Sequence, residues 1–377
     1  MLAPIYHVLF MIGRSELVCA AFTAIGCRTQ LFVCEVIKTD EIPGVARVTS
    51  LPSTEINNSG VSSTQTVTFT YLEMELIGVE TKPEQDGLEL LKHFKEKNTQ
   101  SKSFPCQLEE RRKIWESLLK IIKSGEPACQ YEALNCARIL SRDTTDTNLA
   151  VSEEMIETLL RLGQIETGLT CLEDRVNVES LKVLSNLMHN CGRVQSYCSS
   201  QGFLSKLLSK ISSYSTSSVS EEAKIYDCRL LFLLTALRPE QRVLARHNLR
   251  AVNILLDVIK SVLCQSEVSP GEGVVVCEVL KVLFNISVNS TSEDTAELVT
   301  IASSLRDLIR MKSAEEETRQ KIVCNVVNVV TNMEGRPEAL QELLEASQLR
   351  EPAEPDVRSQ GVVVNVLDSF LGLLQEK

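Results

Sequence analysis

The sequence is poor in residues that mark catalytic or metal-binding proteins. Four histidines occur in 377 residues (His7, His93, His189 and His247), none near another, and no CxxC pair accompanies them. The spacing of a zinc site is therefore missing. No GxxxxGK[ST] loop is present to hold a nucleoside triphosphate, and neither GxSxG nor HExxH occurs. The Gly-Glu-Gly at 271–273 follows Pro270 and lacks the strand-to-helix setting of a dinucleotide fingerprint. These absences predict no catalytic residue, no metal and no cofactor. Aromatic residues are also few, at one Trp, six Tyr and ten Phe, so Leu and Val must build the interior, which suits helices packed on helices. With 16 Gly and 11 Pro against 44% hydrophobic residues, the chain is neither collagen-like nor low in complexity. Positive charge is in deficit, 39 Lys and Arg against 50 Asp and Glu, for a net charge of −11. An acidic chain without a long basic run argues against general binding to nucleic acid or anionic lipid. No uncharged apolar run reaches the ~18 residues of a membrane-spanning helix.

Cysteine is plentiful, but disulfide spacing is not. The 13 cysteines are odd in number and irregularly placed, as expected of reduced thiols serving as small core residues in a cytoplasmic protein. Near the N-terminus, residues 2–13 form an apolar stretch without the positive lead-in of a secretion signal. Residues 50–66 read as a Ser/Thr/Asn-rich loop, and Val67, Phe69 and Tyr71 then alternate with threonines in a strand-like way. Neither feature recurs. The composition predicts a poorly ordered N-terminal extension over 1–82 and a separate repeat domain over 83–377.

From Pro83 onward the hydrophobic period becomes helical. Within 108–124, Ile114, Leu118, Ile121 and Ile122 share one face, and Gly125 marks the stop. The stretch from Glu179 to Asn186 reappears as Glu278 to Asn285, 99 residues later. Weaker copies begin near Glu132, Asp227 and Lys321, giving steps of 47, 48, 51 and 43 residues. That is the period of armadillo and HEAT units. The expected fold is all-α, an armadillo/HEAT-like right-handed helical-repeat solenoid.

Polar residues recur within these apolar copies. Asn186, Asn285 and Asn328 take the same place, where an amide could grip the backbone of a bound peptide or bond a carbonyl of its own array. Arg138 and Arg142, four apart, could clamp a carboxylate together, or stand on a solvated helix end. Tyr226 and Phe284 could anchor a partner or pack into the core.

These same stretches resemble the synembryn family (resistance to inhibitors of cholinesterase). The similarity lies in Tyr226 to Arg238 (YDCRLLFLLTALR), Ala137 to Asp143, Glu179 to Asn186 and Leu280 to Ile286, in the family's order and spacing over roughly residues 85–377. The resemblance implies a cytoplasmic, monomeric exchange factor and folding chaperone for heterotrimeric G-protein α subunits (Gα), reaching the cell cortex through Gα. Such a protein holds the Gα C-terminal helix in a groove and lets GDP leave, making no covalent bond. Carried over, the contacts would be Arg138 and Arg142 to the peptide's polar end and Asn186 to its backbone. Tyr226 would meet its apolar side chains, with Phe284 and Asn285 extending that wall. The resemblance also implies further repeats and an acidic tail beyond Lys377, while residues 1–82 match nothing in the family. An armadillo scaffold for another peptide, or a form that binds Gα without exchange, is the alternative.

Overall fold

The computed structural model describes residues 76–343, apart from 105, 166–173, 289, 312–313, 334–335, 337 and 340. The apolar N-terminal stretch, the alternating 67–71 pattern and the C-terminal residues 344–377 lie outside the described residues. Within them the chain is all-helical, with no strand. The helices are α1 (Glu84–Asn98), α2 (Leu108–Ser124), α3 (Pro127–Leu140), α4 (Glu153–Leu162), α5 (Asp174–Asn190), α6 (Gly192–Ser200), α7 (Phe203–Ser212), α8 (Glu221–Leu237), α9 (Ala251–Leu263), α10 (Pro270–Ser287), α11 (Thr295–Arg310) and α12 (Glu316–Thr331). Short helical segments at Thr147–Ala150 and Pro239–Val243, and a π-turn at Leu244–Asn248, lie between them.

Local chemistry fixes where helices begin and end. Before α2, the Gln107 N–H donates to the Glu110 carboxylate at 3.0 Å, and Gly125 closes the helix on the Ile121 carbonyl at 2.7 Å. Before α10, Ser269 Oγ accepts from Glu272 N at 3.0 Å while Ser269 N donates to Glu272 Oε2 at 3.2 Å; Pro270 occupies the first turn, where no N–H is needed.

Two layers result. Helices α1, α3, α5, α8, α10 and α12 pack each on the next and form an inner layer, while α2, α4, α7, α9 and α11 cover one side of it. From α3 onward the inner helices start 47, 47, 49 and 46 residues apart, which makes the chain an armadillo/HEAT-like stack of repeats. The core is continuous along the stack and aliphatic; Trp115 and Phe203 are among its few aromatics. Cys136, Cys191, Cys198 and Cys228 are fully buried within it, and burial pushes the Cys198 and Cys277 thiols up to about 12, so neither is a nucleophile at neutral pH. The Gly-Glu-Gly of 271–273 acquires a packing reason. A Cβ on Gly271 would meet the Glu221 side chain of α8, and one on Gly273 would meet the Thr318 methyl of α12. The two glycines let α10 seat closely against the helix on either side.

Candidate partner-binding face

The six inner helices make five joints; three share one device, whereas α1–α3, with Ile139 in the place of the Asn, and α5–α8 lack it. At the α3–α5 joint, Asn186 Nδ2 donates to the Arg138 carbonyl (3.2 Å) and to Ser141 Oγ (3.0 Å). At α8–α10, Asn285 Nδ2 donates to the Phe232 carbonyl and Thr235 Oγ1, both at 3.1 Å. At α10–α12, Asn332 Nδ2 donates to the Phe284 carbonyl (2.9 Å) and Ser287 Oγ (2.8 Å). Each amide thus staples its helix to the last turn of the preceding one, through a carbonyl and the hydroxyl three residues on. The third member of the series is Asn332 and not Asn328. A four-residue slip is almost one helical turn, so either phasing puts an Asn on a similar face.

The staples commit both amide protons of Asn186, which is half-buried, and of Asn285, which is buried at 5% exposure, to the neighbouring repeat. Replacing Asn186 with Ala should therefore cost about 1–3 kcal/mol of stability, because the Arg138 carbonyl and Ser141 lose a donor. Urea unfolding followed by far-ultraviolet circular dichroism measures this directly. An unchanged midpoint would mean that the staple contributes nothing.

Carboxylates recur beside the staples. Glu132 pairs with Lys95 of α1, Glu179 with Arg138 of α3, and Glu278 with Arg229 of α8 at 3.0 Å. Glu179 and Glu278 are only 2% exposed, and each is also reached from its own helix, by Lys182 at 3.3 Å and Lys281 at 2.9 Å. Arg138 also donates to Asn135 Oδ1. Arg142, just past the end of α3, donates to the Thr99 carbonyl at 2.6 Å, and burial and then Arg138 lower its pKa from the ordinary arginine value. The two guanidiniums expected to act together thus turn to opposite neighbours, one to α5 and the other back to the end of α1.

The α5–α8 joint breaks the pattern. In the register of the staples, Tyr226 stands where Glu132, Glu179 and Glu278 stand, Leu233 replaces the Asn, and Met188 replaces the hydroxyl. Tyr226 is half-buried. Lys182 Nζ lies 5.8 Å from its ring centroid and the Arg229 guanidinium 5.1 Å, so cation–π contacts stand at the place where α3, α5 and α10 carry a glutamate, and Lys182 also pairs across this joint with Glu222 at 2.9 Å. The tyrosine hydroxyl makes no hydrogen bond among the described residues. On the same accessible face, Arg175 covers Tyr131 at 5.2 Å and Lys281 covers Phe232 at 6.0 Å, with Phe284 half-buried beside them. A strip of aromatic rings edged by cations therefore runs along the inner layer of an acidic chain. Lys182, Arg229, Lys281 and Phe232 complete it and were not singled out from the sequence, although Lys182 and Lys281 occupy one place in the two clearest copies.

Such a strip on stacked helices defines a helical-repeat protein suited to an extended or helical segment with apolar side chains and acceptor groups. The family model described as "Guanine nucleotide exchange factor synembryn" matches residues 133–376, and the chain belongs to that family. Similar proteins include the chicken chaperone Ric-8A (Gallus gallus), 30% identical over 66% of this chain and 51% of the relative. The Macaca fascicularis Ric-8A is 28% identical over 79% and 58%, and the Rattus norvegicus chaperone Ric-8B is 27% identical over 65% and 52%. The chain thus spans between half and three fifths of the length of these relatives. Among solved structures, an engineered protein aligns with TM-score 0.49 at 17% identity over 70% of this chain and 96% of its own. A designed armadillo repeat protein aligns with 0.43 at 18% identity over 68% and 99%. No helix among the described residues is long and apolar enough to cross a membrane.

Proposed function

We propose that this chain captures the C-terminal helix of G-protein α subunits on the inner-layer strip, and that it acts as an exchange factor and folding chaperone for them. The observation that carries the site is the α5–α8 joint. It is the one joint of the five at which the array gives up both this carboxylate and the staple, for an aromatic ring between two cations. Family membership supplies the partner. The rings of Tyr226, Phe232 and Phe284 would take the apolar side chains of the helix. Arg142, Lys182 and Arg229 would face its acceptor groups, and the half-buried Asn186 would offer Oδ1. Drawing that helix from its seat loosens the loop that contacts the guanine base, so GDP leaves without any covalent step on the exchange factor. The working unit is the repeat array of 83–377, residues 1–82 standing apart from it, in a cytoplasmic protein that reaches the cell cortex through Gα.

The test is release of labelled GDP from purified Gα, paired with pull-down of Gα. Faster release together with capture is the expected result. Capture without faster release would limit the function to binding, and absence of both would overturn the proposal. Repeating the pull-down with Gα lacking its C-terminal helix should abolish capture; unchanged capture would place the contact elsewhere.

A further inference from the structure

A second surface lies along one edge of the stack, formed by the short segments that link its layers. Thr147–Ala150, the start of α6 and the segment 238–250 follow one another there. Arg193 N donates to Asn148 Oδ1 (3.1 Å), and Arg238 reaches back to Ser196 Oγ (2.7 Å). All three large hydrophobic side chains exposed among the described residues stand on this edge: Leu149 at 54%, Val243 at 59% and Leu244 at 37%. The segment 238–250 (RPEQRVLARHNLR) carries four arginines against the single Glu240, in a chain whose net charge is −11.

The local fold turns these groups outward. Residues 244–248 make a π-turn, and Arg246 is drawn inside, donating to Glu297 Oε2 (2.7 Å) and Ser290 Oγ (2.9 Å) and lying 3.4 Å from Asp294. With Arg246 as the anchor, Val243, Leu244, His247 and Arg250 are left exposed and Arg242 half-exposed. Neither Arg242 nor Arg250 makes an ion pair among the described residues. Toward the other end stand Arg112, 43% exposed, bonded to the Leu149 carbonyl at 3.2 Å and paired with Glu109 at 3.5 Å, and Arg193, also 43% exposed and paired with Glu153 at 3.3 Å.

We infer that this edge is a contact surface for an anionic lipid bilayer, reached by shallow insertion of Leu149, Val243 and Leu244 between arginines that meet the lipid phosphates. Protruding aliphatic side chains set among exposed cations, of which Arg242 and Arg250 have no ion pair among the described residues, suit an interface, whereas an acidic peptide would need a groove and matched donors. The net charge of −11 argues against general binding to anionic lipid, but not against a local contact. Screening over about 10 Å at ordinary ionic strength leaves the nearest charges in control. The inference is independent of the Gα reading, because it uses none of the inner-layer strip.

The test is co-sedimentation of the full chain, without Gα, with vesicles of phosphatidylcholine alone or mixed with phosphatidylserine. Binding to the mixed vesicles that falls with added salt is expected. The variant R242E/R250E should lose roughly tenfold or more of it, and Val243→Ser with Leu244→Ser should weaken it at unchanged charge. The same charge reversal on α1, K92E/K97E, should have little effect. Circular dichroism establishes that each variant is folded. No preference of the wild type for phosphatidylserine would overturn the inference, leaving the edge to a protein partner. Equal losses in R242E/R250E and K92E/K97E would also overturn it, since net charge alone would then be acting.

Discussion

Replacing Asp227 with alanine should lower the unfolding free energy by about 3–5 kcal/mol at neutral pH. The Asp227 side chain is fully buried and Lys210 is 10% exposed. Lys210 Nζ donates to Asp227 at 2.9 Å and to the Gly163 carbonyl at 2.7 Å, and Tyr214 Oη donates to Asp227 Oδ2 at 2.9 Å. One carboxylate thereby joins α7, α8 and the end of α4. Burial drives the Asp227 carboxyl above its ordinary pKa, opposed by the attraction of Lys210 and by hydrogen bonds from Lys210 and Tyr214. Desolvation is therefore the dominant cost of the cluster, and the two sides of the pair should respond differently. Removing Asp227 alone strands the ammonium of Lys210. The double replacement K210M/D227L removes both charges and should recover most of the loss. Urea unfolding by circular dichroism distinguishes the cases. A loss below about 1 kcal/mol for Asp227→Ala would mean that water solvates the stranded ammonium.

The helical class and the repeat were legible in the sequence because both rest on period. Leu and Val at helical spacing mark each buried face, and the copies at Glu179 and Glu278 share six of eight positions in a fixed phase. The expectation that the cysteines are core residues holds for six of the nine described; Cys106 and Cys324 are half-buried and Cys264 is exposed. Phase was harder to read. A shift of four residues leaves the hydrophobic face of a helix almost unchanged, so the last copy was placed one turn early and Asn328 stood in for Asn332. Partners were harder still. Arg138 meets Glu179 across 41 residues and Arg229 meets Glu278 across 49, distances set by the stacking of whole repeats. Arg138 and Arg142 share a face only on an uninterrupted helix, and α3 ends at Leu140, so their side chains diverge.

The α5–α8 exception became legible only with the staples in register, since it consists of residues that are ordinary by themselves. Tyr, Leu and Met in an apolar helix suggest core. Their meaning comes from what stands at the same places in the other joints, where Glu, Asn and Ser or Thr recur, with Asn325 in place of the Glu in α12 and Ile139 in place of the Asn in α3. The sequence places Tyr226 among candidate contacts through family resemblance, and the structure supplies an independent physical reason to single it out.

That register also yields a variant that separates binding from folding. Tyr226→Glu restores at the α5–α8 joint the carboxylate that Glu132, Glu179 and Glu278 provide elsewhere. Lys182 and Arg229, already about 5–6 Å from the ring centroid, are placed to pair with it. The array should remain folded, its stability changing by no more than about 1 kcal/mol. The aromatic surface would be gone, and the new carboxylate would compete for Lys182 and Arg229 with Glu179, Glu222 and Glu278, which already pair with them. Affinity for a Gα C-terminal peptide, read by fluorescence anisotropy, should fall roughly 30-fold or more, as when a central aromatic anchor is lost. Tyr226→Phe should bind almost as well as the wild type, because the hydroxyl has no partner among the described residues and the ring keeps its cation–π contacts. If Tyr226→Glu binds normally while remaining folded, the strip is not the site. If Tyr226→Phe alone abolishes binding, the hydroxyl and not the ring makes the contact, and the peptide must present a hydrogen-bonding group to this joint.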